Sequence, residues 1–372
     1  MKRVPSLLCA LALLAASCGG KPAPTPTDNL KVGVVMSTTG DAAVYGRSAL
    51  AGVRYAVERL NQSGDLGDTH VELVSRDDKS TVAGAQQAFR ELIAEKVNVI
   101  IGPMLSVVAA ETDQIAQQAG VPVLAATNSA LDITKFGDTV WRVSLSERAI
   151  IDAGVESAAE RTGLTTAAII FDPNEEYSSA AAGWFRESAK AYGITIIRQA
   201  HFTTNGRDHA EAVENAAAPG PEAFFIPSYA ADALMLMRVM KDQRRRQLVV
   251  GGNGFNTPSV LRAAGRTGGG LIVASSWDPR RPNALSKQFV KGYEQAIGRA
   301  PDTFAAQGYA AVEILTRAVV LGGKGSSGIE QGLREFVADE TILGLVSFSD
   351  EREAEYPPFV RFVKAGSIQL FD

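Results

Sequence analysis

The feature that most constrains the fold is a regular alternation of short β-branched runs with segments in which apolar residues recur at helical spacing. The first run covers residues 31–36, and the segment after it carries Leu50, Val53, Val57 and Leu60. A spacing of three or four residues places these side chains on one face of a helix. Parallel neighbouring strands need a crossover connection, and the helical crossover is nearly always right-handed. The alternation therefore predicts parallel sheets covered by helices on both faces.

This alternation occurs in two consecutive blocks along the chain. The predicted strands of the first block are residues 31–36, 71–74, 97–101 and 121–124. After a further run at 140–145, the predicted strands of the second block are residues 167–171, 194–197, 223–226, 248–250 and 271–274. A chain of 372 residues is also long enough for two domains. We predict an α/β fold of two doubly wound parallel-sheet lobes.

The rest of the chain is too short to form a third domain. Its predicted helices are residues 285–299, 304–321 and 328–338, and its predicted strands are residues 345–348 and 359–363. We expect this tail to complete both lobes, so that the chain crosses between them near residues 146, 277 and 356. The predicted lobes are residues 30–145 with 278–356, and residues 146–277 with 357–372. Several such crossings would form a hinge.

The N-terminal residues predict export followed by attachment of a lipid. A basic start, an apolar stretch and small residues precede Cys18, as in a secretory signal peptide. A cysteine at this place resembles the bacterial lipobox, although Ala15 stands where such signals usually carry Leu. We expect residues 1–17 to be removed, Cys18 to carry the lipid, and residues 18–29, rich in Pro, Gly and Thr, to form a flexible linker.

Two other interpretations of this segment are an ordinary secretory peptide cut nearby and a membrane-spanning helix. The apolar run is far shorter than the roughly 20 residues that a bilayer requires, which disfavours the helix. We therefore expect a protein of the periplasm or cell surface that is anchored in the membrane through Cys18. Gly19 replaces the Asp that usually retains Gram-negative lipoproteins in the inner membrane, so an outer-membrane location stays open.

Composition and motifs argue against several classes of function. The formal net charge of −4 gives no electrostatic reason to expect nucleic acid. The sequence contains no G-x-S-x-G elbow, P-loop or H-E-x-x-H motif, and the three histidines lack metal-ligand spacing. A G-x-G-x-x-G at residues 323–328 follows a predicted helix rather than a strand, so it does not indicate a dinucleotide site. We expect no enzymatic activity, no cofactor, no metal site and no nucleic-acid partner.

Polar and aromatic residues follow several predicted strands. Ligands of open α/β sheets bind beyond the carboxyl ends of the strands. Ser106 begins a predicted helix there, and the N–H groups of a helix start suit a carboxylate, although a plain N-cap is the alternative role. The other residues that follow strands are Thr127, Tyr177, Tyr229, Asn253 and Asp278. Their recurrence at strand ends favours one lined cleft between the lobes.

In an ordered set of segments the chain resembles the bacterial periplasmic binding proteins for branched-chain amino acids and related compounds, which capture substrates for ABC importers. The resemblance covers about residues 30–365. The segments that carry it are residues 39–46, 102–106, 125–127, 228–229, 251–254 and 304–309, together with Tyr177. The resemblance implies a fold of two lobes that close on a small ligand.

The same resemblance implies roles for individual residues. The position of Ser106 binds the ligand carboxylate, and those of Ala125 and Thr127 hold the polar ends of the ligand. The walls of the implied site are Tyr45, Tyr177 and Tyr229, and Phe304 is included among the site residues.

The sequence departs from that family at Asn253, where amino-acid binders commonly carry Asp or Glu against the ligand ammonium. An ammonium without a carboxylate partner loses a hydrogen bond worth about 1.5–3 kcal/mol, or about ten- to a hundredfold in affinity. Either Asp278, expected near the mouth of the cleft, supplies the charge, or the ligand is a carboxylate, amide or aromatic acid without an ammonium.

Together these observations predict a monomeric lipoprotein that captures a small carboxylate-bearing metabolite, such as an amino acid, amide or organic acid. We expect an ABC transporter permease as its protein partner. The alternative is a lipoprotein of the same fold that acts as a sensory protein or as a regulator of cell-wall synthases, without transport.

Overall fold

The structure is a computed structural model that describes residues 29–281 and 283–371. The predictions of a signal peptide, of a lipid on Cys18 and of a flexible linker through residue 28 therefore lie outside the described residues. Within the described part, the chain forms two large sheets and one small sheet.

The first large sheet consists of parallel strands. Its strands are β1 (Leu30–Met36), β2 (Val71–Asp77), β3 (Val99–Ile101), β4 (Val123–Ala125) and β5 (Val140–Arg142). They lie in the order β2-β1-β3-β4-β5. The helices between them are α1 (Ala43–Ser63), α2 (Val82–Ala94) and α3 (Ala109–Gln118). The strand cores are apolar on both faces, as expected for a sheet covered by helices on each side.

The second large sheet has the same strand–helix alternation. Its parallel strands are β6 (Thr166–Phe171), β7 (Thr195–His201), β8 (Ala223–Ile226), β9 (Leu248–Gly251) and β10 (Leu271–Ser275). The helices of this block are α4 (Glu147–Thr162), α5 (Glu176–Ala191), α6 (His209–Ala217), α7 (Ala230–Asp242) and α8 (Pro258–Ala264). The strand order of the whole sheet is β15-β14-β10-β9-β8-β6-β7.

The tail of the chain packs helices against the first lobe, adds two strands to the second large sheet and forms the small sheet. Its helices are α9 (Ala284–Ile297), α10 (Thr303–Gly322) and α11 (Ser326–Arg334), of which α9 and α10 pack on α1. Strands β11 (Ala338–Thr341), β12 (Gly344–Phe348) and β13 (Ala354–Glu355) form the small antiparallel sheet. Strands β14 (Phe359–Lys364) and β15 (Ser367–Phe371) extend the second sheet in antiparallel orientation. The chain thus passes between the lobes after β5, after β10 and after β13, while the predicted residue boundaries of the lobes stay a prediction.

Four elements of the tail differ from the predictions, and two of them are the short strands β11 and β13, which were not predicted. The helix predicted at residues 328–338 ends at Arg334, because the residues after it turn into the β11–β12 hairpin. Strand β15 was not predicted, since most of its side chains are exposed and its hairpin turn is Ala365-Gly366. Both turn residues have positive φ, at 51° and 78°, but the strong sequence signals for such a turn are Asn-Gly and Asp-Gly.

Helices α1 and α10 pack with their backbones in direct contact. A Cβ atom at Gly52 would lie 1.9 Å from the carbonyl oxygen of Ala305, and one at Gly308 would lie 2.2 Å from the carbonyl oxygen of Ala49. Helix α10 has the length and hydropathy of a membrane-spanning segment, but 61% of that window is buried inside the protein. It is therefore a core helix of the first lobe, held against α1 by small residues.

We expect Gly52→Ala to destabilise the protein severely. The added methyl group meets the backbone of α10, which cannot move aside as a flexible side chain would, so the loss should reach or exceed the upper end of the ~1–3 kcal/mol typical of overpacking. Urea denaturation measures this loss. The control is Gly183→Ala in α5, where the nearest atom lies 3.7 Å from the new Cβ; it should be neutral or stabilising by up to about 1 kcal/mol. Equal stability of the two variants would contradict the packing described.

Candidate functional site

A cavity of about 290 Å³ lies between the two lobes, at the carboxyl ends of the parallel strands. The first lobe contributes Tyr45, Met104, Leu105, Ser106, Val107, Thr127, Ser129, Ala130, Leu131 and Phe304. The second lobe contributes Glu147, Glu176, Tyr177, Ala180, Ala181, Trp184, Tyr229, Asn253 and Gly254. The structure thus brings together seven of the predicted site residues: Tyr45, Ser106, Thr127, Tyr177, Tyr229, Asn253 and Phe304.

Two hydroxyl groups form a polar end of the cavity in the first lobe. Ser106 begins a short 3-10 turn, Ser106–Val108, that leads into α3, and the position before it is Leu105. Its Oγ accepts hydrogen bonds from the N–H groups of Ser129 and Ala130, both at 3.1 Å, so its own proton remains to be donated. The hydroxyl of Thr127 donates to the carbonyl oxygen of Met104 at 3.1 Å, which leaves its oxygen free to accept. Ser106 is a donor at the cavity wall rather than the N-cap.

The phenol of Tyr45 joins the two lobes across the cavity. Tyr45 lies in the first turn of α1, yet its oxygen accepts a hydrogen bond from the N–H of Ala230 at 2.6 Å and donates to the carbonyl of Gly254 at 3.1 Å. Burial raises the pKa of Tyr45 far above its ordinary value, so the phenol keeps the proton that this bridge requires. The structure therefore describes the lobes in contact around the cavity.

Aromatic rings form much of the remaining wall. Tyr177 and Tyr229 are stacked with their ring centroids 5.0 Å apart, and the rings of Tyr45 and Phe304 lie 4.8 Å apart. Burial also raises the pKa values of Tyr177 and Tyr229, so these hydroxyls stay protonated. Together with Trp184 these rings give the cavity a large apolar surface beside its hydroxyl groups.

A buried carboxylate, Glu147, is the main site residue that the sequence analysis missed. It occupies the first turn of α4, its side chain lines the cavity, and the residue is only 3% exposed. Its Oε1 accepts hydrogen bonds from the Asn253 N–H at 2.9 Å and from the Tyr177 hydroxyl at 3.0 Å. Its Oε2 has no hydrogen-bond partner among the described residues. Burial raises the pKa of Glu147, although these two donors and the nearby Ser129 hydroxyl oppose the shift.

Asn253 contributes to the cavity in a different way from the one expected. Its N–H is bonded to Glu147, and its side-chain oxygen accepts a hydrogen bond from the Asn256 amide at 3.1 Å. The side-chain oxygen is therefore occupied inside the second lobe, and Asn253 positions the carboxylate of Glu147 through its backbone.

The expectation that Asp278 lies near the mouth of the cleft is wrong. Asp278 is fully buried at the crossing that follows β10 and does not line the cavity. Its carboxylate accepts hydrogen bonds from Arg361 and Arg280, each at 2.7 Å. Burial alone would raise its pKa, but the hydrogen bond from Arg280 and the charge of Arg361 outweigh burial and lower the pKa. The charge of Asp278 is thus neutralised inside the protein.

Ala125, for which the resemblance implied a polar contact to the ligand, does not line the cavity either. It is the last residue of β4, its side chain is buried beside Ala109 and Ile133, and its carbonyl oxygen accepts the N–H of Val143. That hydrogen bond lies in the connection after the neighbouring strand β5, on the first lobe.

Sequence reasoning had a signal for Glu147 that was not used. Glu147 follows β5 after a short connection, so the rule that ligands meet the residues beyond strand ends applies to it as well. The other missed lining residues lie in the loops after β3 and β4 and on one face of α5; they are Met104, Leu105, Val107, Ser129, Ala130, Leu131, Glu176, Ala180, Ala181 and Trp184, with Gly254 after β9. Among the residues that the structure describes, no group of three or more His, Cys, Asp or Glu is placed to hold a metal ion.

Comparison with known families matches almost the whole described chain. The model of the family described as periplasmic binding protein matches residues 29–359. Among similar proteins, the Leu/Ile/Val-binding protein homolog 3 of Brucella melitensis is 22% identical over 334 residues, covering 89% of this chain and 90% of that protein. The Leu/Ile/Val-binding protein homolog 2 of Brucella abortus is 23% identical over 361 residues, covering 96% and 95%.

Solved structures share the fold over nearly their full length. The branched-chain amino acid transporter substrate-binding protein of Streptococcus pneumoniae, in complex with isoleucine, superposes with a TM-score of 0.85 at 23% identity, covering 92% of this chain and 99% of that chain. An ABC transporter solute-binding protein of Rhodopseudomonas palustris, in complex with benzoate, superposes with a TM-score of 0.82 at 24% identity, covering 92% and 95%. The predicted fold of two α/β lobes is confirmed.

The raised pKa of Glu147 makes the stability of the ligand-free protein depend on pH. In the unfolded chain this carboxyl titrates near its ordinary value of 4.5. Between that value and the higher pKa of the folded state, the folded protein binds more protons, so the free energy of unfolding falls as pH rises. In Glu147→Gln this contribution is absent, and the variant should gain stability relative to the wild type as pH rises from below 4.5 to neutral.

Urea denaturation at a series of pH values measures this difference. Glu160→Gln is the matched control, because Glu160 lies exposed in the last turn of the same helix. Its stability curve should follow that of the wild type. If the Glu147→Gln curve also ran parallel to that of the wild type at all pH values, the pKa of Glu147 would not be raised in the folded protein.

Proposed function

The chain belongs to the periplasmic binding protein family, and from this premise we propose that it captures a small carboxylate-bearing metabolite outside the cytoplasm and delivers it to an ABC importer. The observation that carries the proposal is the cavity to which both lobes contribute, with hydroxyl groups at one end and aromatic rings around the rest. Its volume of about 290 Å³ lies at the small end of the range for ligand pockets, roughly 300–1,000 Å³. A compact metabolite fits such a space.

The polar end of the cavity has the donors that a carboxylate needs. The Ser106 hydroxyl is free to donate, and the first N–H groups of the turn Ser106–Val108 have no acceptor within their own helix. Such N–H groups, together with the dipole of the following helix, favour an anion. We therefore assign Ser106 to the ligand carboxylate and Thr127 to a neighbouring donor group of the ligand.

The comparison structures support the same ligand class. Isoleucine, bound by the Streptococcus pneumoniae protein, and benzoate, bound by the Rhodopseudomonas palustris protein, share only a carboxylate and an apolar body. The cavity of this chain offers both features, through Ser106 and through rings such as Tyr229 and Trp184.

Closure of the lobes supplies the mechanism of capture. Because each lobe provides part of the wall, a ligand that touches both lobes binds the closed arrangement more tightly than the open one and shifts the population toward it. Tyr45 adds its own hydrogen bonds to Ala230 and Gly254 only when the lobes meet. A permease that recognises the closed arrangement would receive loaded protein in preference to empty protein.

A screen of metabolites by thermal shift identifies the ligand and tests the transport proposal. A ligand present at a hundred times its Kd stabilises the protein by about 2.7 kcal/mol, which raises Tm by several degrees. A screen in which no amino acid, amide or organic acid changes Tm would instead favour the sensory or regulatory role.

Substitution of the two hydroxyl residues tests the assignment of the site. Ser106→Ala and Thr127→Ala should each weaken binding of the metabolite found in the screen, by about ten- to a hundredfold where a charged group loses its hydrogen bond. Isothermal titration calorimetry measures the affinities. The control is Thr162→Ala, because that hydroxyl bonds only to the Ala158 carbonyl in its own helix. Unchanged affinity in both cavity variants would refute the assignment.

We further propose that the protein acts as a monomer anchored to the membrane by lipid on Cys18. The support for the anchor is the sequence pattern before that residue. The alternative is an ordinary signal peptide that is cleaved without addition of a lipid. In cells, Cys18→Ala should move the protein from the membrane fraction to the soluble fraction, while mass spectrometry of the wild type should find a lipid mass on Cys18. A wild-type protein that is soluble in cell fractions would contradict the anchor.

A further inference from the structure

A second cavity, of about 580 Å³, lies beside the crossing that follows β10. Helix α8 and the β14–β15 hairpin line it from the second lobe, and the residues just before α10 line it from the first lobe. Its volume lies within the range of roughly 300–1,000 Å³ for ligand pockets. None of its lining residues also lines the interlobe cavity. The second cavity is therefore a separate space with its own chemistry.

The lining of the second cavity has an excess of positive charge, because four arginines line it against two aspartates. Both aspartates already have partners within the protein. Asp278 accepts hydrogen bonds from Arg361 and Arg280. Asp302 accepts a hydrogen bond from the Ser48 hydroxyl at 2.6 Å. Neither carboxylate is left to neutralise the other two arginines.

Those two arginines are Arg262, in the last turn of α8, and Arg266, which follows one turn later. Both side chains are exposed at the rim of the cavity. Neither guanidinium group has a hydrogen bond or an ion pair with any residue that the structure describes. A cation at a helix end is favourable by itself, but here two unpaired cations stand at the edge of a cavity large enough for a ligand.

Much of the remaining wall is apolar. Leu261 of α8, Val363 and Ile368 of the hairpin, and Pro301 of the first lobe all line the cavity. Trp277 is fully buried and forms part of the floor, whereas Ile368 is 38% exposed. The apolar surface thus extends from the interior to the rim. A ligand with an apolar body would remove this surface from water, which is favourable.

From this combination we propose that the second cavity binds a small, soluble organic anion with an apolar body, and that Arg262 and Arg266 hold its charged group. Guanidinium groups bind carboxylate, sulfate and phosphate groups through paired N–H donors, so these head groups share the required chemistry. The apolar body lies toward the floor at Trp277, inside the fold, which favours a free molecule over a lipid in a bilayer. The proposal does not depend on the ligand of the interlobe cavity.

Four probes separate the effect of the charge from that of the apolar body. Octyl sulfate has both features, inorganic sulfate has only the charge, octanol has only the chain, and octylammonium has the opposite charge. Isothermal titration calorimetry with the purified protein at neutral pH, at concentrations where octyl sulfate is monomeric, measures their affinities. Octyl sulfate should bind about ten- to a hundredfold more tightly than octanol, because it gains charge-assisted hydrogen bonds. Inorganic sulfate and octylammonium should bind more weakly than octyl sulfate.

Replacement of the two arginines tests the position of the charged group. Arg262→Gln combined with Arg266→Gln should weaken octyl sulfate binding by about ten- to a hundredfold. The matched control combines Arg198→Gln with Arg207→Gln, since these two arginines of the second lobe are also exposed and line neither cavity. The control should bind octyl sulfate like the wild type. Thermal melting shows whether the variants compared are folded.

A third variant distinguishes the two cavities, because an anion with an apolar body also suits the interlobe cavity. Ser106→Ala combined with Thr127→Ala alters only the interlobe cavity. This variant should retain the wild-type affinity for octyl sulfate. Loss of octyl sulfate binding here would place the probe between the lobes and overturn the proposal.

Three other results would also overturn it. The first is octyl sulfate binding that the arginine substitutions leave unchanged, and the second is equal binding of octyl sulfate and octanol. The third is the absence of octyl sulfate binding to the wild type. If the protein instead sedimented with phosphatidylglycerol vesicles and the arginine variant did not, the arginines would serve a lipid surface. None of these results bears on capture in the interlobe cavity, which the metabolite screen tests.

Discussion

The hydrogen bonds of the Tyr45 phenol are the interaction on which the enclosed site depends. One oxygen atom on the first lobe meets both a donor and an acceptor on the second lobe, at Ala230 and Gly254. These partners are backbone groups in the segments that follow β8 and β9, so the bridge depends on backbone positions and not on mobile side chains. The cavity that Ser106 and Glu147 line from opposite lobes lies beside these contacts.

The two buried carboxyl groups Asp278 and Glu147 have opposite surroundings. At the crossing after β10, Asp278 is paired with Arg361 and Arg280. Removing one partner of such a buried pair strongly destabilises a protein, because the remaining charge is left buried and unpaired. In the cavity, Glu147 is equally buried but receives only neutral donors. In the first arrangement the charge of Asp278 is paired inside the protein. In the second, burial raises the pKa of Glu147, and only neutral donors oppose the shift.

The sequence predicted the fold and much of the cavity, for identifiable reasons. Apolar strands followed by polar residues place Ser106, Thr127, Tyr177, Tyr229 and Asn253 at one edge of two sheets, and that placement needs no knowledge of side-chain partners. Asp278 also follows a strand, but its carboxylate is bonded to Arg361, which lies 83 residues further along the chain, and it does not line the cavity.

The remaining differences have the same origin in tertiary contacts. The carbonyl of Ala125 is taken by Val143, and the exposed strand β15 depends on a turn with a weak sequence signal. Glu147 was missed because the sequence analysis assigned the connection from β5 to α4 only to the crossing between the lobes. The rule for residues that follow a strand was not applied to it. Pairing between distant residues, rather than local propensity, accounts for each of these cases.

The contact between α1 and α10 has a mechanical consequence for the rest of the first lobe. Tyr45 and Phe304 stand at the beginnings of these two helices, and the helix backbones touch at Gly52 and Gly308 without side chains that could yield between them. A helix of 21 residues is about 30 Å long. Because the two backbones are in direct contact, the helices form one packed unit, which fixes the rings of Tyr45 and Phe304 relative to each other at the cavity.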